Sequence, residues 1–296
     1  MSAAPEFRPR RSVLYMPGSN ARALEKAKTL PADSLILDLE DAVAPEAKAA
    51  AREQVCAAAR AGGYGHREVV IRVNGLSTDW GEADIKAVAT SGADAVLVPK
   101  VQSAKDVAAA RDAMLGAGAP QGMPLWAMME TPLGMLNAHE IAAAAHGNHN
   151  PLTVFVMGTN DLAKETRAEL GHDRLGMLAW LSHCVAAARA YGLDILDGVY
   201  NAFSDIPGCK RECVQGRALG MDGKTLIHPG QIAPANEVFS PSPEETEWSR
   251  KVIAAFAEPA NTGKGVITVE GRMVEIMHRD MAMRVVALAE AIGGRA

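Results

Sequence analysis

A chain of 296 residues, nearly half of them apolar, is long enough for one large domain or two small ones. Aromatics make up only 4%, so the core must be built from Ala, Val, Leu, Ile and Met. A net charge of −5 with no basic stripe argues against nucleic-acid binding, and no apolar run reaches membrane-spanning length.

Met1–Arg11 holds three arginines but no apolar h-region, which argues against a secretory signal. The four cysteines are Cys56, Cys184, Cys209 and Cys213. Cys209 and Cys213 have no second half of a metal site, so all four read as reduced thiols of a cytoplasmic protein.

In chain order, short apolar runs alternate with Ala-rich helical stretches. Strands are predicted at Val13–Met16, Leu35–Leu39, Val69–Val73, Ala95–Val98, Leu125–Met129, Thr153–Met157, Leu193–Leu196 and Lys224–Ile227. Helices are predicted at Ala21–Leu30, Pro45–Arg60, Trp80–Ser91, Ala104–Leu115, Met135–Ala145, Leu175–Tyr191, Cys209–Leu219 and Gln231–Phe239. Eight strand–helix units point to a (β/α)8 barrel of α/β class over residues 1–239, with an open doubly wound sheet as the competitor. Residues 240–296 differ. A Ser-Pro-Ser-Pro break precedes a helix at Pro243–Glu258, a hairpin turning at Glu270-Gly271 and a last amphipathic helix at Glu275–Ile292. This tail reads as a lid over a barrel rim, its own or a neighbouring subunit's.

In such a barrel, chemistry sits where the strands end. The run Leu125–Met129 delivers Glu130, with Pro132 ending regular structure, and the run Leu152–Met157 is followed by Gly-Thr-Asn and Asp161. Two carboxylates without His or Cys of zinc spacing suit Mg²⁺, which keeps waters and takes further ligands from substrate. The bland alternative is that both acids cap the helices that follow. Arg72 would either bind a substrate carboxylate or thioester oxygen, or pair with Asp38, Glu40 or Asp41. Those three acids would hold metal-bound waters or orient Arg72 and Lys100. Lys100 itself would be an ion-pair partner or the nucleophile of a Schiff-base aldolase. Arg22 and Lys26 share a helix face near a turn and would attract a phosphate, or are ordinary solvated residues. Glu275 would favour the helix dipole or, on a lid, transfer a proton.

The segments 11–20, 37–43, 71–74, 129–134, 158–162 and 224–232, with 239–243, 263–265 and 271–275 in the tail, resemble the citrate lyase beta-subunit-like CoA-ester lyases of the HpcH/HpaI aldolase superfamily. That group includes malyl-CoA and citramalyl-CoA lyases. The resemblance implies a trimer or hexamer whose lid covers a neighbour's barrel. It implies Mg²⁺ on Glu130 and Asp161, and Arg72 at the acyl substrate. Tyr15, Arg22 and Lys26 would lie on the CoA side, Ile227 and His228 would line the ligand site, and a lid acid would catalyse. The expected reaction splits malyl-CoA, β-methylmalyl-CoA or citramalyl-CoA into acetyl- or propionyl-CoA and glyoxylate or pyruvate. Alternatives are a malyl-CoA thioesterase and a citrate lyase beta subunit working on an acyl carrier. The chain departs from the pattern at Glu275, where the group carries Asp.

Overall fold

The computed structural model describes residues 8–146 and 152–294. Strands β1 (Ser12–Pro17), β2 (Ser34–Asp38), β3 (Glu68–Arg72), β4 (Ala95–Val98), β5 (Leu125–Met129), β6 (Leu152–Met157), β7 (Asp194–Asp197) and β8 (Gly223–Leu226) pair in sequence order. Every pairing is parallel, and Val13 of β1 pairs with Thr225 of β8. That pairing closes the barrel and removes the open-sheet competitor. Parallel neighbours need a crossover between them. Helices α1 (Ala21–Ala27), α2 (Lys48–Ala61), α3 (Gly81–Val88), α4 (Ala104–Gly116), α5 (Pro132–Leu136), α6 (Ala138–Ala143), α7 (Thr159–Thr166), α8 (Leu175–Ala190), α9 (Ile206–Leu219) and α10 (Ile232–Phe239) lie in those connections and after β8.

Val13, Ile36, Val70, Ala95, Leu97, Trp126, Met128, Val154, Val156 and Leu196 form one buried cluster. On every strand that contributes two of them they fall two apart, as side chains sharing one face of a strand must. Burying each aliphatic side chain contributes about 1.5–3 kcal/mol. The same parity carried one step toward the strand ends reaches Tyr15, Asp38, Arg72, Glu130 and Gly158. The alternation that fills the core therefore also aims the site. At the other end Arg10 grips Glu68 and Asp194, at 2.7 and 2.5 Å, with its guanidinium 5.2 Å from the Trp126 ring centre.

Opposite parity on β7 and β8 puts Asp197 beside Lys224 in register. Lys224 is fully buried and bonds Asp197 at 3.0 Å, Glu212 of α9 at 2.6 Å and the Gly198 carbonyl. Arg174, capping α8, reaches Asp197 at 2.7 Å. Four charges thus pin α9 and the start of α8 to the barrel wall.

Three boundaries differ from the sequence expectation. Pro132 does not end regular structure: it is the first residue of α5, capped by Thr131, whose hydroxyl accepts from the Gly134 N–H. Proline suits that position because its missing N–H would have no partner there. The helix predicted over 135–145 is divided into α5 and α6 at Asn137. Asp161 does not end a strand, as β6 stops at Met157 and Asp161 lies in the first turn of α7.

The described residues divide into two compact units, one spanning Arg10–Glu237 and one holding the residues from Val238 onward together with Arg8 and Pro9. In the second unit, α11 (Pro243–Ala257) starts on a Ser242/Glu245 capping box. Strands β9 (Val266–Val269) and β10 (Arg272–Glu275) form an antiparallel hairpin. Its two turn residues, Glu270 and Gly271, both have positive φ, 48° and 77°, as a two-residue hairpin turn requires. α12 (Ile276–Gly293) follows, and Val252, Ile267, Val269, Val274 and Ala282 make this unit's own core.

Candidate active site

Glu130 leaves β5 buried, 1% exposed. Its Oε1 accepts the Lys100 backbone N–H at 2.8 Å, and its Oε2 has no hydrogen-bond partner among the described residues. A Cβ at position 158 would stand 2.6 Å from that Oε2, so only glycine lets the end of β6 approach so closely. Burial, and then the charge of Glu40, push the Glu130 carboxyl up to about 8. A buried carboxylate with a bare oxygen calls for a cation.

Asp161 faces the same space from the first turn of α7. The Lys100 ammonium stands 3.8 Å from Glu130 Oε1 and 3.7 Å from Asp161 Oδ2. The two acids therefore converge on one positive charge. Among the described residues no group of three or more His, Cys, Asp or Glu could enclose a metal ion. A hard cation on this pair would draw its other ligands from water and a bound molecule, as Mg²⁺ does. The bare Oε2 and the all-oxygen donor pair fit such an ion.

Arg72 ends β3 as a buried guanidinium. Its Nε and Nη2 donate to the two oxygens of Asp38 at 2.7 and 2.6 Å, and Nη1 lies 2.8 Å from Glu40 and 3.2 Å from Asp41. Asp38 is itself held by the N–H groups of Glu40 and Ala42. Burial would raise the Asp38 pKa, but the Arg72 charge and these bonds outweigh it and hold the carboxyl below its ordinary range. The ion-pair alternative for Arg72 holds, and the paired guanidinium also lines the cavity. Tyr15 lies under the guanidinium, 5.0 Å from its ring centre, with its hydroxyl buried and unpartnered among the described residues.

These residues line a cavity of about 320 Å³, with Tyr15, Asp38, Asp41, Arg72, Glu130, Asp161 and Ile227 on its walls. Thr159, Asn160, Val199 and Thr225 line it too and escaped the sequence reading. Asn160 and Thr159 lay within the run already singled out, so the signal was present. Val199 gave none. Arg22 and Lys26 are exposed on α1 and His228 is exposed; none of the three lines this cavity. His228 instead accepts the Gly230 N–H at 3.0 Å and stacks on Phe203. Glu275 belongs to the second unit, where it closes β10 and starts α12, its N–H donating to His278 Nδ1 at 2.9 Å.

Lys100 hydrogen-bonds Glu40 Oε1 at 2.7 Å. Burial would lower its pKa, but that bond and the charges of Glu130, Glu40 and Asp161 outweigh it and raise the pKa. An ammonium so held is not the free amine a Schiff base needs, which opposes the aldolase reading.

The HpcH/HpaI aldolase/citrate lyase family matches residues 11–229, and a C-C bond lyase family of the TIM-barrel fold matches residues 176–293. A (3S)-malyl-CoA thioesterase of Cereibacter sphaeroides is 53% identical over 98% of each chain. Citrate lyase subunit beta of Escherichia coli is 34% identical over 97% of this chain and 96% of its own. Among solved structures, CitE of Mycobacterium tuberculosis in complex with magnesium, acetoacetate and coenzyme A superposes with a TM-score of 0.72 at 29% identity, covering 94% of this chain and 97% of that one. The barrel with paired acids at its C-terminal rim belongs to a member of the HpcH/HpaI aldolase/citrate lyase family.

Proposed function

We propose that the protein is a Mg²⁺-dependent enzyme of 3-hydroxyacyl-CoA esters that hydrolyses the thioester of malyl-CoA to malate and free CoA. The observation that carries this reading is the 53% identity, end to end, with the thioesterase of Cereibacter sphaeroides. The site supports its chemistry. Glu130 and Asp161 hold the ion, which supplies Lewis-acid polarisation of a chelated hydroxy acid when bound. Arg72, locked by Asp38, presents a fixed positive charge to the acyl substrate and to negative charge developing on the thioester oxygen. Glu40 and Asp41 keep that guanidinium oriented. Arg22 and Lys26, exposed on α1, face the CoA phosphates, and Ile227 and His228 flank the ligand near β8.

Hydrolysis needs a water at the thioester carbon: its oxygen forms the new bond, the carbon–sulfur bond breaks, and the thiolate takes up a proton. Glu275 is the group we assign to the water's proton. Its side chain is one methylene longer than the family aspartate, so its carboxylate reaches further from the lid backbone. It reaches the site as part of a lid, residues 240–296, that covers a neighbouring subunit in a trimer or hexamer. The exposed apolar side chains Met273, Ile276, Met277 and Met281 beside it suit such a covering face.

The second reading is carbon–carbon cleavage to acetyl-CoA and glyoxylate, or the propionyl-CoA and pyruvate counterparts from β-methylmalyl- and citramalyl-CoA. Both matching family descriptions and the Escherichia coli relative favour it. Incubation with Mg²⁺ and (3S)-malyl-CoA, with products identified by mass, separates the two. Malate and free CoA are expected; glyoxylate with acetyl-CoA would establish the second reading, and an intact substrate would overturn both.

A further inference from the structure

Lys100 occupies a place that neither ordinary ion pairing nor the metal reading accounts for. Its ammonium stands between Glu130 and Asp161, at 3.8 and 3.7 Å, beyond hydrogen-bond reach of either. Its one firm side-chain bond goes to Glu40 at 2.7 Å. The backbone at Lys100 is left-handed, φ 53°, a conformation that side-chain-bearing residues seldom adopt. Its N–H is held on Glu130 Oε1 at 2.8 Å. Residues kept in such conformations cluster at sites that switch or clamp. Lys100 and Glu40 both line a second cavity of about 630 Å³, whose other walls carry polar groups that include Asn74, Thr78 and Gln102. The side chain itself is 43% exposed, so nothing packs it in place.

We infer that Lys100 is a displaceable counter-ion, neutralising Glu130 and Asp161 until a divalent cation arrives, then swinging on its Glu40 bond into the adjoining cavity. The inference rests on the metal reading above. A divalent ion gripped by both acids would stand within a few ångströms of the ammonium, and like charges that close repel strongly at a partly buried site. Glu40 is the pivot that lets the ammonium leave without losing its one firm bond. The apo site then never holds two bare acids, and each loading of the metal displaces a charge the chain itself supplies.

Mg²⁺ titration calorimetry on wild type, Lys100→Met, Lys100→Gln and Lys100→Arg tests this without turnover. With the competitor gone, the Met and Gln variants are expected to bind Mg²⁺ about tenfold tighter, or about 1.4 kcal/mol. Both should melt lower than wild type without Mg²⁺ and gain more from it. Lys100→Arg, whose fork can bind two acids at once, is expected to weaken Mg²⁺ binding. Equal or weaker binding by the Met and Gln variants, with wild-type binding intact, would make Lys100 a fixed support of Glu130 and overturn the inference alone. No Mg²⁺ binding by wild type would overturn the metal reading and the inference with it.

Discussion

Tyr15 keeps its hydroxyl on the cavity wall with no partner among the described residues, although an unpaired buried hydroxyl costs about 1–3 kcal/mol. A group kept at that cost waits for a ligand oxygen. Tyr15→Phe is therefore expected to raise the free energy of unfolding in urea by about 1 kcal/mol while kcat/KM falls by about tenfold. A variant no more stable than wild type, with full turnover, would show the hydroxyl to be idle. At this scale the sequence was legible where strand parity decides direction. Tyr15, Asp38, Arg72 and Glu130 each lie two residues beyond a core side chain on the same strand, and a β-strand leaves no other choice of face. Arg174 was not legible, because its partners Asp197 and Glu212 lie 23 and 38 residues away and only closure brings them together. Lys100 was legible as an ion-pair residue but not as one placed between two acids, since its left-handed backbone aims it and no local pattern marks that.

The strands were readable because a sheet covered on both faces demands unbroken apolar runs, and β2 to β5 are buried at every position. The short helices were less so. In α7 only Thr159 and Leu162 are buried, too few to register as a period, so no helical signal in the sequence marks Asp161. Its position in the first helical turn still suits an acid, through the helix dipole. The ionic cluster joining β7, β8 and α9 invites a direct measurement. Lys224→Met leaves Asp197 and Glu212 facing each other without that cation and is expected to cost about 3–5 kcal/mol, read from the urea midpoint. Burial would raise the Asp197 pKa, but Lys224 and Arg174 outweigh it and hold the carboxyl below its ordinary range. Its contribution is thus present above the unfolded value of about 3.9 and lost as pH falls through the lower folded value. The Lys224→Met variant, whose Asp197 titrates higher, has less of that contribution left to lose, so its unfolding free energy should fall less steeply on acidification than that of wild type. Coincident acid curves would mean the cluster does not set that pH dependence.

The whole molecule follows from eight strand–helix units, and the count sufficed to suggest a closed barrel. What the count cannot say is which loop residues share the rim cavity, because that depends on how far each strand runs past its last core side chain. The second unit was legible as a hairpin between two helices from its Gly271 turn and flanking amphipathic stretches. The role proposed for its Glu275 rests on the family pattern. Glu275→Gln is expected to lower turnover by about 10²-fold or more, as loss of a proton-transfer group does, and to leave the Mg²⁺-linked rise in melting temperature unchanged. A Gln variant with full activity would remove Glu275 from the chemistry. The account as a whole depends on two acids at one rim gripping a divalent ion over a bound hydroxyacyl-CoA. Its most direct test is turnover of (3S)-malyl-CoA by wild type and Glu130→Gln, each with Mg²⁺ and with EDTA. Activity confined to wild type with Mg²⁺ is the expected result; equal activity in EDTA, or in the Gln variant, would contradict it.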